Sequence, residues 1–284
     1  MFHNILFMKI GVFDSGYGGL TILSKIRERL PQYDYVYLGD NARTPYGTRS
    51  FEVIYAYTWQ CVRRLFDEGC ELVILACNTA SAKALRSIQQ CELLDVWKTE
   101  GSDRKRVLGV IRPTVEMVIG DQAKTPHVGV LATPGTVASQ SYVIEINKLM
   151  PQAVVTQQAC PMWVPLIEAG EHTVEGADFF VKKYVNELLS KDRQIDRIIL
   201  GCTHYPLLYD KIRQFTPPSV KLIVQGDIVA SSLADYLKRH SELERCLNKG
   251  GTCRYLTTEH PEKFSESATL FLSEPVSAEY VALK

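Results

Sequence analysis

The sequence predicts an α/β protein of two similar lobes, each three-layered, with a mostly parallel sheet between helices and an active site in the interlobe cleft. Three observations carry this. Two stretches, Glu71-Leu-Val-Ile-Leu-Ala-Cys77-Asn78-Thr79-Ala80-Ser81 and Asp196-Arg-Ile-Ile-Leu-Gly-Cys202-Thr203-His204-Tyr205-Pro206, read as copies of one design. In each, a run of Val, Ile and Leu suits a parallel strand buried on both faces and ends in a cysteine. Strand-like runs alternate along the chain with helix-length segments, the order of βαβ units. Finally, Ile10-Gly-Val-Phe-Asp14-Ser15-Gly16 repeats in pattern as Val128-Gly-Val-Leu-Ala132-Thr133-Pro134-Gly135, an offset of 128 − 10 = 118 residues, close to the 202 − 77 = 125 that separates the cysteines. Two near-equal offsets in the same order imply two lobes related by pseudo-two-fold symmetry, which places the cysteines on opposite walls of one cleft.

At 284 residues the chain suits one large or two medium domains, and 46% hydrophobic against 23% charged residues can sustain a packed core. Lysine plus arginine equals aspartate plus glutamate, 32 against 32, so no global field recruits nucleic acid or an anionic membrane. Eight cysteines without a C-x-x-C pair or zinc-finger spacing point to reduced thiols in the cytoplasm rather than to disulfides or a metal site. Met1 to Met8 carries no basic leader, its apolar run is too short for a signal peptide, and no segment is long enough to span a bilayer.

Lys9 to Phe13 reads as the first strand, followed by the turn Asp14-Ser15-Gly16-Tyr17-Gly18-Gly19 and a helix from about Leu20 to Leu30. Such a turn can present backbone N–H groups to an anion, with Asp14 as an alternative helix cap, but it lacks the G-x-G-x-x-G spacing of a dinucleotide site. Tyr35 to Gly39 is a second strand, and the Pro45-Tyr46-Gly47 loop beyond it is a candidate wall of the site or a plain turn. Ser50 to Asp67 forms a helix with an aromatic and aliphatic face, leading into the Cys77 strand. Asn78, Thr79 and Thr203 occupy N-cap positions where each cysteine strand hands over to a helix.

A helix runs from Ser81 to about Leu94, and the polar stretch from Thr99 to Arg106 marks a boundary. Strands at Val107 to Ile111 and His127 to Leu131 follow, the second ending in Ala132-Thr133-Pro134-Gly135-Thr136, and then the loop Cys160-Pro-Met-Trp-Val-Pro165-Leu-Ile-Glu168-Ala-Gly170. Helices from Glu175 to Ser190 and Tyr209 to Phe215 flank the Cys202 strand. After Pro217-Pro218 come a strand at Lys221 to Val224 and a helix from Ile228 to Arg239, and the remainder, with a strand at Cys253 to Thr257 and a helix from Phe264 to Leu272, returns to complete the first lobe. The expected division is 1–106 with 224–284 for one lobe and 107–223 for the other.

Cys61, Cys70, Cys91 and Cys160 read as small apolar core residues. Cys77 and Cys202 differ by position, at strand ends beside helix starts whose dipole favours a thiolate. Four chemistries compete for them. A cysteine hydrolase could use Cys202 with His204 but leaves Cys77 without a role. A dithiol redox couple needs Cα atoms within about 7 Å. A metal site wants more ligands. Two-base inversion of a carbon, in which one thiolate removes a proton and the opposite thiol returns one, uses both cysteines, the repeat and the cleft. Asp14 and Ser15 could then anchor an ammonium or relay a proton beside Cys77, His204 could do so beside Cys202, and Asn78, Thr79 and Thr203 could hold a carboxylate.

The motifs Gly11-Val-Phe-Asp14-Ser15-Gly16-Tyr-Gly18-Gly19-Leu, Pro45-Tyr46-Gly47, Ala76-Cys77-Asn78-Thr79-Ala80-Ser81 and Gly201-Cys202-Thr203-His204-Tyr205-Pro206-Leu resemble the signatures of glutamate racemases, in the same order from Lys9 to about Phe271. The resemblance implies an enzyme without pyridoxal or any other cofactor that interconverts L- and D-glutamate for peptidoglycan. It implies that Cys77 serves the D and Cys202 the L enantiomer, assisted by Asp14, His204 and Glu168. Asp14, Ser15, Pro45, Tyr46, Gly47, Asn78, Thr79, Thr136, Thr203 and His204 match substrate-binding positions. A homodimer is one assembly open to such a chain. Family members commonly begin near Met8, so residues 1–7 read as an extension or a mis-called start. The related aspartate racemases are the nearest alternative, with the Pro45-Tyr46-Gly47 pattern favouring glutamate. A two-lobed amino-acid binding protein would have no use for paired thiols.

Overall fold

The computed structural model describes residues 8–100, 104–119, 125–272 and 274–283; residues 1–7, expected to be an extension or a mis-called start, lie outside them. Among the described residues ten strands form two parallel sheets: β1 (Lys9–Asp14), β2 (Tyr35–Gly39), β3 (Cys70–Leu75), β4 (Arg106–Gly109), β5 (His127–Ala132), β6 (Val154–Ala159), β7 (Arg197–Gly201), β8 (Lys221–Ile223), β9 (Cys253–Thr257) and β10 (Ala278–Tyr280). The first sheet runs β10-β9-β2-β1-β3-β4 and the second β6-β5-β7-β8.

Strand burial follows composition. β2 is buried at every residue and β1 at all but Lys9, as continuous apolar runs between two helical layers require. The edge strand β6, Val-Val-Thr-Gln-Gln-Ala, is mostly half-exposed and carries polar side chains. Helix Phe51–Asp67 shows the complementary logic: Ser50 caps it by accepting from the Val53 N–H at 3.4 Å, and Ile54, Thr58, Cys61, Val62, Leu65 and Phe66 form its buried face at helical spacing. Each fully buried large apolar side chain there contributes about 1.5–3 kcal/mol.

The repeat read from the sequence is a topological one. β1 lies between β2 and β3 in the first sheet as β5 lies between β6 and β7 in the second. In register, Phe13 pairs with Leu75 and Leu131 with Leu200. The Cys77 and Cys202 strands are thus equivalent neighbours of equivalent central strands.

Three expectations need correction. β4 was expected to open the second lobe, but it pairs with β3 in the first sheet, Leu72 with Arg106 through Leu75 with Gly109. The helix after Cys77 carries the chain across the sheet to the free side of β3, and the lobe changes only beyond Gly109. Cys91 is exposed rather than core. Strands β6 and β10 and helices Ser141–Leu149 and Trp163–Glu168 were not anticipated; mixed polarity or short length hides them from periodicity.

Candidate active site

Both cysteines stand just past strand ends, where parallel sheets leave open backbone and ligands bind. Cys77 is itself the N-cap of helix Asn78–Lys83, its Sγ accepting from the Ala80 N–H at 3.4 Å, so the cap lies one residue before the position expected. Cys202 follows Gly201 and leads into a short 3-10 turn, Tyr205–Leu208, rather than an α-helix. Only the first thiol therefore borrows an α-helix start.

A cavity of about 70 Å³ has both cysteines in its lining, together with Asp14, Ser15, Pro45, Tyr46, Gly47, Asn78, Thr79, Thr203 and His204. Residues from both sheets meet here. The Gly135 N–H donates to the Gly47 carbonyl at 2.7 Å, Thr79 and Thr133 hydroxyls lie 2.9 Å apart, and the Thr21 hydroxyl donates to the Thr203 carbonyl at 3.0 Å. The glycine-rich turn serves close approach rather than phosphate binding: a Cβ at Gly18 would lie 2.3 Å from His204 Nδ1 and 2.6 Å from the Thr203 hydroxyl.

The two thiols have different surroundings. Cys77 Sγ lies 3.3 Å from the Ser15 hydroxyl. Burial first, then the Asp14 charge, push its pKa up to about 12, against the lowering effect of the Ser15 and Ala80 hydrogen bonds. Asp14 is 1% exposed. Burial raises its pKa, opposed by His204 and by the Gly19 and Gly16 backbone. Asp14 does not cap the following helix: its Oδ2 accepts from the Gly16 N–H at 3.0 Å, and its buried Oδ1 has no partner. An orphaned carboxylate oxygen on a residue that lines the cavity suits an ammonium donor.

Beside Cys202 the polar groups form a chain. His204 Nδ1 lies 3.8 Å from Cys202 Sγ, and Nε2 lies 3.0 Å from Glu168 Oε1. Burial disfavours the imidazolium, but the bonds to Cys202 and Glu168 outweigh it and raise the His204 pKa to about 10. Phe271 meets the His204 ring edge-on, with centroids 5.6 Å apart.

Two expected residues stand back from the cavity wall. Glu168 is behind His204, at the end of helix Trp163–Glu168, and Thr136 is fully buried, 3.1 Å from the Thr133 hydroxyl. Tyr46 points its hydroxyl away from the cleft to Asp40, which Arg43 Nε and the Thr258 hydroxyl also hold. Its side chain braces the loop. Thr133 and Cys160 line the cavity unexpectedly. Thr133 could have been found from the repeat, because it matches Ser15; Cys160 carried no signal.

Fold and site together define a two-lobed α/β protein with paired thiols in one interlobe cleft. Residues 10–233 match the Asp/Glu/Hydantoin racemase family. Over 281 residues the chain is 43% identical to glutamate racemase from Paracoccus denitrificans, covering 96% of this chain and 99% of that one. Among solved structures, glutamate racemase from Bacillus anthracis superposes with a TM-score of 0.86 at 31% identity, covering 97% of this chain and 98% of that one. The Francisella tularensis glutamate racemase, in complex with D-glutamate, gives 0.83 at 33%, with 98% of each chain covered. The chain belongs to the Asp/Glu/hydantoin racemase family.

Proposed function

We propose that this chain interconverts L- and D-glutamate without a cofactor, using Cys77 and Cys202 as acid–base groups on opposite faces of the α carbon. The carrying observation is the pair of buried thiols at equivalent strand ends in the lining of one cavity, each with its own proton partner. A hydrolase or a simple binding protein gives no role to the second thiol.

In this reading the substrate carboxylate takes the N–H groups at the start of helix Asn78–Lys83, and the ammonium meets the free Asp14 Oδ1. With D-glutamate, the Cys77 thiolate removes the α proton. The C–H electron pair stays on carbon, delocalised into the carboxylate. Cys202 then gives its thiol proton to the opposite face. L-Glutamate leaves with Cys77 protonated and Cys202 as thiolate, the state that starts the reverse reaction. His204, backed by Glu168, returns a proton on the Cys202 side, and Asp14 exchanges one on the Cys77 side.

A thiol with pKa about 12 is protonated at neutral pH, so Cys77 needs help. A unit positive charge about 4 Å away is worth about 4 kcal/mol at an effective dielectric of 20, roughly three pH units. The incoming ammonium thus supplies about three of the roughly five pH units that separate the Cys77 thiol from ionisation at neutral pH, and the rest remains as part of the barrier to proton abstraction. The two sheets with their helices are the units we propose to close over substrate, in the division 1–106 with 224–284 against 107–223, β4 excepted. No helix among the described residues is long and apolar enough to cross a membrane; cytoplasmic supply of D-glutamate to peptidoglycan is the proposed setting.

Circular dichroism of the purified protein in deuterated water tests the reading. Added L-glutamate should lose its signal towards the racemate, L-aspartate should respond far less, and product should carry deuterium at the α carbon. Inertness towards glutamate, or product that keeps its original proton throughout turnover, would count against it.

A further inference from the structure

Asn78 lines the cleft, yet its side chain belongs to a closed ring of hydrogen bonds behind the wall. Its Nδ2 donates to Gln225 Oε1 at 2.6 Å, Gln225 Nε2 donates to the Tyr142 hydroxyl at 3.0 Å, and that hydroxyl donates to Asn78 Oδ1 at 2.7 Å. Gln225 Nε2 also donates to the Thr114 hydroxyl at 2.9 Å, whose proton goes to the Val110 carbonyl at 2.7 Å. All four side chains are buried. Reversing one amide alone would set donor against donor or acceptor against acceptor, and reversing both would turn the Gln225 oxygen towards the Val110 carbonyl, which accepts from Nε2 at 3.4 Å, so the sense of the ring is anchored there.

The ring joins elements that the reaction needs in register. Asn78 follows Cys77 directly. Tyr142, on helix Ser141–Leu149, packs against the residue before Cys202, because a Cβ at Gly201 would meet its Cε2 at 3.2 Å. Gln225 precedes helix Gly226–Arg239 at the end of β8. Both heads of the Asn78 amide are engaged, which leaves its backbone N–H, among the first of the helix and without an intrahelical partner, as its contribution to the cleft.

We propose that Tyr142 and Gln225 are positioning residues. Through Asn78 both fix the helix start beside Cys77, and through Gly201 Tyr142 fixes its placement relative to Cys202. The inference rests on the two-base reading above. That chemistry is sensitive to such a brace, because both sulfurs must address one carbon at about 3–3.5 Å and a displacement of about 1 Å can cost on the order of a hundredfold.

Tyr142→Phe removes one hydroxyl and leaves Asn78 Oδ1 and one Gln225 N–H unsatisfied. A variant that remains folded at assay temperature should lose about tenfold in kcat with KM changed less than about twofold. The primary isotope effect on α-deuterated glutamate should rise as proton transfer becomes more limiting. Gln225→Met should behave alike, and the double variant should lose no more than the worse single one, since either change opens the same ring. If Tyr142→Phe does not fold, Gln225→Met and Thr114→Val report the same quantities. Wild-type kcat and isotope effect in the folded variants, or additive losses, would overturn the positioning role while leaving the racemase reading intact. A wild-type protein inert towards glutamate would instead remove that reading, and this inference with it.

Discussion

Glu168→Gln isolates the charge behind His204. The substitution keeps an oxygen acceptor where Oε1 stands, 3.0 Å from Nε2, and removes only the negative charge. A hydrogen bond to a charged group is worth about 1.5–3 kcal/mol, against about 1 for a neutral one. Because Glu168 retains 20% side-chain exposure, solvent screening keeps the difference, about 0.5–2 kcal/mol, at or below its middle, about 1 kcal/mol. At 1.36 kcal/mol per pH unit, the His204 pKa should fall by about one unit from its raised position near 10, as burial regains influence over the imidazolium. The limb of the pH profile of kcat/KM that reports His204 should move down by that amount. Stability should follow with a definite sign. A group whose folded pKa lies above its unfolded value contributes stability fully below pH 6.5, and loses it as pH rises through about 10. The melting temperature of the wild type should therefore carry a declining contribution across that window, and the variant a smaller one. Superimposable rate profiles and identical pH dependences of melting would refute the coupling.

Two further substitutions probe the cleft. Cys77→Ser and Cys202→Ser should each lower racemisation by on the order of 10³-fold, because an alcohol is a far weaker acid than a thiol; a polarimetric assay showing wild-type turnover in either would end the two-base assignment. Gly18→Ala should lower kcat by on the order of a hundredfold at a stability cost of about 1–3 kcal/mol, since the new methyl would stand 2.3 Å from His204 Nδ1 and must displace it. Unchanged kcat with an unchanged melting temperature would show that the turn does not set the histidine.

The strand ends were legible because parallel-sheet strands are spelled in unbroken apolar runs, and Cys77, Cys202, Asp14 and His204 lie at or just past those ends. β6 was illegible for the same reason: Val154 to Ala159 is an edge strand with Thr and two Gln, so no apolar run announces it. β4 was read correctly as a strand but assigned to the wrong sheet, because pairing depends on where a crossover lands and Arg106 to Gly109 carries no mark of its neighbour. The Asn78 ring could not be read at all. Gln225 and Tyr142 are 147 and 64 residues from Asn78, and isolated polar residues acquire meaning only when folding brings their donors and acceptors together.

The unequal flanks of the two thiols follow from chirality. The repeat duplicates the cysteine strands but not the acids: the position matching Asp14 is Ala132, and the lobe that lacks the carboxylate at its strand end supplies His204 and Glu168 instead. Mirror-image substrates do not require mirror-image sites, because a protein of L-residues forms diastereomeric complexes with the two enantiomers. Thermodynamics demands only that kcat/KM be equal in the two directions, since the enantiomers have equal free energy in water; kcat and KM are separately free. In the proposed mechanism the buried thiol beside Asp14, raised to about 12, draws on the substrate ammonium to ionise, whereas its partner has the His204 imidazole at hand. The two directions should therefore differ in how binding and chemistry share the barrier, with equal quotients and unequal parts.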